Sequence, residues 1–196
     1  MTQTPALPHP ARPMWWRWAR TIRHLPDRLF HSWRRRHALA WLSGASLPQN
    51  VLVVCHGNIC RSPYAAYRLR ALFATEGHAC TIASAGFIGP DRPSPGNAIA
   101  TAAVRGIDLK PHRSQLLSNT LIAAAQLIIV MEARQAEALR LVFGDVPAPI
   151  LILGDLDPWP AETRTVRDPA LQSRAVFAGS YDRIDRCLEV LVETLA

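Results

Sequence analysis

No stretch of the 196-residue sequence reaches the ~18–20 uninterrupted apolar residues that a membrane-spanning helix needs, so no span is expected. Cysteine is scarce. Cys55, Cys60, Cys80 and Cys187 are too few for a disulfide scaffold in a chain this long, which points to a reducing, cytoplasmic setting. None of the four sits in a CxxC pair or beside a histidine cluster, so no metal site is expected. No internal repeat is visible. Acidic residues are almost missing from the first 47 positions, where Asp27 stands alone against eight arginines, whereas the rest of the chain balances fourteen basic with fourteen acidic residues. The formal net charge of +7 therefore belongs to an N-terminal arm. The neutral body gives no reason to expect a nucleic-acid partner.

What is present is a hydrophobic content of 49%, enough for a full core and too much for wholesale disorder. The arm, residues 1–47, also holds five of the six tryptophans: Trp15, Trp16, Trp18, Trp33 and Trp41. Its first 13 residues carry four prolines and read as extended chain. From Met14 onward, Trp15, Trp18, Ile22, Leu25, Leu29 and Trp33 step by three or four with arginines between them. This is the pattern of a basic amphipathic helix, interrupted near Pro26. Residues 43–50 read as a linker to a domain over 48–196.

That domain alternates in the α/β manner. Apolar runs at Val51–Val54, Cys80–Ala83, Leu127–Met131 and Ile150–Leu153 predict strands. Helical periods lie between and after them at Pro63–Thr75, Ala98–Arg105, Glu132–Val142 and Gln172–Leu195. Four strands separated by helices predict a four-stranded parallel sheet flanked by helices on both faces.

The chemistry concentrates where the first strand ends, in Cys55-His56-Gly57-Asn58-Ile59-Cys60-Arg61-Ser62-Pro63. A strand running into a loop that opens a helix turns backbone N–H groups inward as an anion nest, and the helix N-terminus adds partial positive charge. Pro63 suits the first helical position. Gly57 and Asn58 tolerate the left-handed backbone angles of a closed loop. Arg61 supplies a fork matched to a tetrahedral oxyanion, and Cys55 at the base of the nest is placed as a nucleophile.

With these residues in view, the sequence from about 50 to 195 resembles the low-molecular-weight protein-tyrosine phosphatases. The marks are CHGNICRSP at 55–63, Ser84-Ala85-Gly86, Gly106-Ile107-Asp108, His112-Arg113 and an Asp-Pro pair ahead of the last helix. The resemblance implies a phosphotyrosine hydrolase that needs no cofactor or metal and works through a phosphocysteine intermediate on Cys55. Residues 56–61 would bind the phosphate, with Arg61 and the loop amides on its equatorial oxygens. It further implies that Asn58 ties the loop, Ser62 hydrogen-bonds the thiolate, His112 braces the loop, and Cys60 captures oxidised Cys55 as a reversible disulfide. Cys80 and Cys187 read as core.

Asp157-Pro158 and Asp168-Pro169 compete for the general acid. In the family the acid precedes a Phe and a Tyr of the last helix, as Asp168 precedes Phe177 and Tyr181, whereas Asp157 matches an Asp-Pro after the fourth strand. Asp168 is the expected acid, and Asp157 a turn or cap residue. The sequence departs from the family where Ala170 and Leu171 replace two cleft aromatics; Phe87 is a substitute wall or a packed loop residue, and His56 a solvated one. Residues 112–145 hold no cysteine, which separates the chain from the related arsenate reductases. Ile59, where arginine phosphatases of the family carry Thr, favours phosphotyrosine over phosphoarginine. A phosphotyrosine-binding scaffold without turnover is the rival from another class. The expected partner is a phosphotyrosine protein, for which a bacterial tyrosine kinase is the family precedent. The arm has three readings: peripheral attachment of residues 14–42 to an anionic membrane at its inner face, docking on a partner or on the body, or an unstructured or misassigned start with Met14 as the true initiator.

Overall fold

The structure is a computed structural model and describes residues 25–196. Two helices come first, α1 (Leu25–Leu29) and α2 (His31–Ser43). They are followed by β1 (Asn50–Cys55), α3 (Arg61–Thr75), β2 (Thr81–Gly86), α4 (Gly96–Ala103), α5 (Asn119–Ala124) and β3 (Leu127–Val130). The chain then forms α6 (Ala133–Phe143), β4 (Ile150–Ile152), a 3₁₀ turn (Leu153–Leu156) and the long α7 (Arg174–Leu195). All strand pairs are parallel, in the order β2-β1-β3-β4.

β1 sits centrally because it is apolar on both faces. Val51, Val53 and Cys55 turn into one core with α3 and α7, while Leu52 and Val54 turn into a second core with β3, α5 and α6. The chain leaves β1 toward β2 and later returns to its other side as β3. The strand order therefore reverses at β1, and the carboxyl end of β1 is the crevice where open parallel sheets bind ligands. Tyr64 of α3 and Tyr181 of α7 stack in parallel, ring centroids 3.7 Å apart, and lock the two helices together. The Tyr64 hydroxyl donates to Asp185 at 2.7 Å, and burial pushes up the protonation constants of both Tyr64 and Asp185.

Several elements differ from the sequence reading. α3 begins at Arg61, so Pro63 occupies its first turn two residues further in, where a missing N–H is still harmless. β2 runs on to Gly86, α5 was not foreseen, and Cys80 lies just before β2, half-exposed and packed against the edge of the main core. Of the apolar stripe expected in the arm, Trp15, Trp18 and Ile22 lie outside the described residues. Leu25, Leu29 and Trp33 are exposed. α2 instead packs on the 3₁₀ turn and α7, with Leu42 fully buried in the main core and Ala38 and Leu39 against it. Residues 43–50 follow the surface closely: Leu47 packs on the same core, and Asn50 already belongs to β1. Among the described residues no helix is long and apolar enough to cross a membrane.

Candidate active site

The loop from Cys55 to Arg61 closes at the carboxyl end of β1, and its shape follows from Asn58. That residue is fully buried with φ +49°, a left-handed conformation that asparagine tolerates. Its Nδ2 donates to Ser62 Oγ and Ser84 Oγ, both at 2.9 Å, and its Oδ1 accepts from the Gln115 N–H at 2.9 Å. The Asn58 carbonyl meets His112 Nε2 at 2.7 Å, and burial lowers the protonation constant of His112. Ser62 passes the network on, its hydroxyl donating to Cys55 Sγ at 3.0 Å. From the other side the Tyr181 hydroxyl donates to the Cys60 carbonyl at 3.2 Å.

Ser84-Ala85-Gly86, the end of β2, lies against this loop. A Cβ on Gly86 would come within 2.8 Å of the Asn58 nitrogen and 2.9 Å of the His56 oxygen, so only glycine allows the approach. No side chain caps the start of α3, whose first N–H groups are therefore free to face an anion.

Arg61 is buried and links three segments. Its Nη1 donates to the Val166 carbonyl at 3.0 Å and to Glu132 at 3.3 Å, and its Nη2 to Asp168 Oδ2 at 2.5 Å. Its buried Nε–H has no protein partner among the described residues. Cys55 and Asp168 line one cleft of about 610 Å³, with Ile59, Cys60 and the exposed His56 on its loop side, and Arg61 stands behind Asp168. Burial, then the neighbouring Cys55, pushes the Cys60 thiol up to about 12.

Asp157 is engaged elsewhere. Its buried carboxylate pairs with Arg183 at 2.8 Å and Arg186 at 3.2 Å, both on α7. Phe87 packs on the second core instead of lining the cleft, and Ile88, Ala170 and Leu171 form the apolar walls.

Sequence reasoning missed Glu132, the second carboxylate on Arg61, and Arg92. The Arg92 guanidinium donates to the Gly57 carbonyl at 2.7 Å and the Ile88 carbonyl at 2.8 Å, clamping the loop to the cleft wall. Neither stands in a motif. Only the fold brings Glu132, at the end of β3, and Arg92, in an irregular loop, to the end of β1. Cys187 is fully buried in the main core.

Comparison with known proteins gives a consistent picture. Residues 50–196 match the family model for low molecular weight phosphotyrosine protein phosphatase. The low molecular weight protein-tyrosine-phosphatase Ptp of Acinetobacter johnsonii is 32% identical over 141 residues, covering 71% of this chain and 93% of that protein. The crystal structure of the Erwinia amylovora tyrosine phosphatase amsI superposes with a TM-score of 0.69 at 27% identity, covering 78% of this chain and 97% of that one. The arginine phosphatase YwlE of Geobacillus stearothermophilus shares the fold, with a TM-score of 0.66 at 24% identity over 76% of this chain and 93% of its own.

Proposed function

Since the chain belongs to the low molecular weight phosphotyrosine protein phosphatase family and is a cysteine-based phosphotyrosine hydrolase, we propose that Cys55 is its nucleophile, Arg61 its phosphate ligand and Asp168 its general acid and base. The Cys55 thiolate attacks phosphorus and the bond to the tyrosyl oxygen breaks. Asp168 delivers its proton to the departing phenolate. Water then attacks phosphocysteine, Asp168 takes the water proton, phosphate leaves and the thiolate returns. The N–H groups of residues 56–61 and the Arg61 guanidinium hold the equatorial oxygens, where charge accumulates in both steps.

The observation that carries this reading is the position of Arg61. One guanidinium joins the end of the loop to Asp168 at 2.5 Å and keeps a buried Nε–H without an acceptor among the described residues. A buried unpaired donor is costly, and an oxyanion seated in the loop would satisfy it. Ser62 supports the sulfur as a nucleophile, and Asn58 and His112 hold the loop around it. Asp157, neutralised by two arginines, holds α7 instead.

Ile59 on the cleft's loop side presents an apolar contact, which suits a phenyl ring better than a guanidinium and favours phosphotyrosine over phosphoarginine. We read residues 48–196 as the catalytic domain and 1–47 as an arm whose described part rests on it. The substrate is a phosphotyrosine protein, with a bacterial tyrosine kinase as the type expected from the family. Cys60 is read as the resolving thiol: once a peroxide has converted Cys55 to a sulfenic acid, Cys60 displaces its oxygen as water and forms a disulfide. The exposed Leu29, Phe30 and Trp33 beside Arg28 and Arg36 suit peripheral attachment to an anionic membrane at the cytoplasmic face. Loss of pelleting with anionic vesicles on Trp33→Ser would support that attachment, and unchanged pelleting would refute it.

The decisive experiment is steady-state hydrolysis of phosphotyrosine, phosphoarginine and phosphoserine peptides by wild type, Cys55→Ser and Asp168→Asn. Phosphotyrosine should be preferred, Cys55→Ser should abolish turnover, and Asp168→Asn should lower kcat by roughly 10²–10⁴. An unaffected Asp168→Asn beside a crippled Asp157→Asn would reverse the choice of acid.

A further inference from the structure

Residues 157–168 lead from the 3₁₀ turn to Asp168 without regular secondary structure, so their course is set by side-chain and backbone contacts. One set comes from the domain itself. Val166 N–H bonds to Met131 at 2.9 Å, Ser180 Oγ donates to the Arg167 carbonyl at 2.9 Å, and Arg183 donates to the carbonyls of Thr163 and Thr165 at 2.7 and 2.8 Å. A second set comes from α1 and α2, which lie ahead of residue 50 where the family match begins. His31, buried, places Nε2 3.0 Å from the Asp157 carbonyl. Asp155 is shared between Arg34 of α2 at 3.3 Å and Arg164 of the segment at 2.6 Å. Arg28 pairs with Glu162 at 2.7 Å, though both side chains are exposed and such a pair contributes little. A groove on this side is lined by Asp27 of α1 together with Arg164, Arg167 and Asp168 of the segment.

We infer that α1 and α2 act as a clasp on the segment that carries the general acid, with His31 and Arg34 as positioning residues for Asp168. The inference rests on Asp168 being that acid. His31 fixes the start of the segment and Arg34, through Asp155, fixes Arg164 in its middle, so the path to Asp168 is held from outside as well as from α7. Neither residue lines the phosphate cleft. Loosening them leaves phosphate binding intact and degrades proton delivery, because small displacements of a catalytic group cost rate steeply.

The test uses the full chain and a series of aryl phosphates, read as kcat/KM against the acidity of the departing phenol. Dinitrophenolate leaves without a proton, whereas phenolate needs one. Wild type should show a shallow dependence and Asp168→Asn a steep one. The double variant His31→Phe/Arg34→Met should match wild type within about twofold on dinitrophenyl phosphate and fall about tenfold on phenyl phosphate, with Arg34→Lys close to wild type. A wild-type slope in the double variant, or an equal loss across the series, overturns the clasp. A thermal melt confirms that the variant is folded; if it is not, Arg34→Met alone is read the same way. A flat series for Asp168→Asn would instead refute the choice of acid and take the clasp with it.

Discussion

Replacing Asn58 by alanine should unlatch the phosphate loop, and the cost can be worked from its contacts. Three side-chain hydrogen bonds are lost, to Ser62, Ser84 and the Gln115 N–H, at a residue with no solvent exposure. At about 1 kcal/mol each they sum to about 3 kcal/mol. Alanine must also hold φ +49°, which adds about 1 kcal/mol. For a chain of this size the total of about 4 kcal/mol corresponds to a fall in Tm of roughly 8–16 °C. Asn58→Gly loses the same hydrogen bonds but enters the left-handed region freely, so it should retain about 1 kcal/mol over alanine. Urea unfolding of the three proteins gives both differences directly. A loss below about 1 kcal/mol for alanine, or a glycine variant no more stable than alanine, would refute the reasoning that this one side chain sets the loop.

Asp157→Asn should lower stability by about 3 kcal/mol, because it leaves the Arg183 and Arg186 guanidinium groups facing an uncharged amide, while kcat on phosphotyrosine stays within about twofold; chemical unfolding and turnover on one preparation check both halves. His112 titrates below its ordinary value because it is buried, so the folded state binds this proton more weakly than the unfolded chain. Its contribution is present above about pH 6.5 and is lost as pH falls below it, so Tm should drop between pH 7 and 5.5 with a shallower slope in His112→Gln. The Cys60 thiol, pushed up to about 12, should stay unalkylated by iodoacetamide at pH 7.5 in Cys55→Ser. Labelling of Cys60 by mass spectrometry would contradict its burial.

The central strand and the loop after it were legible because their signals are local. A β-branched run, a glycine, an arginine and a proline follow one another within a dozen residues, and the fold keeps them together. Asp168 was legible only through its place ahead of Phe177 and Tyr181. Its partnership with Arg61 spans more than a hundred residues and no periodicity announces it. The arm was legible only in part. Its apolar stripe of Leu25, Leu29 and Trp33 faces outward, and what α2 buries is Leu42 together with a histidine whose partner is a backbone carbonyl. Leu42 lies on a second stripe with Ala38 and Leu39, and the polar contact of the histidine has no signature in hydrophobic spacing. Phe87 read equally as a cleft wall or a packed loop residue, and it is the second: it packs on the second core while Ile88 reaches the cleft.

The two-sided character of β1 makes the position of the nucleophile a matter of parity. Val51, Val53 and Cys55 share one face and Leu52 and Val54 the other, so the side of the sheet on which Cys55 emerges is fixed by counting from any point upstream in the strand. Inserting one residue in β1 would turn the sulfur toward the opposite core and offer a valine to the loop in its place, while two inserted residues would restore the facing. The chemistry of this enzyme therefore has a reading frame inside its folded structure, and β1 is where that frame is kept.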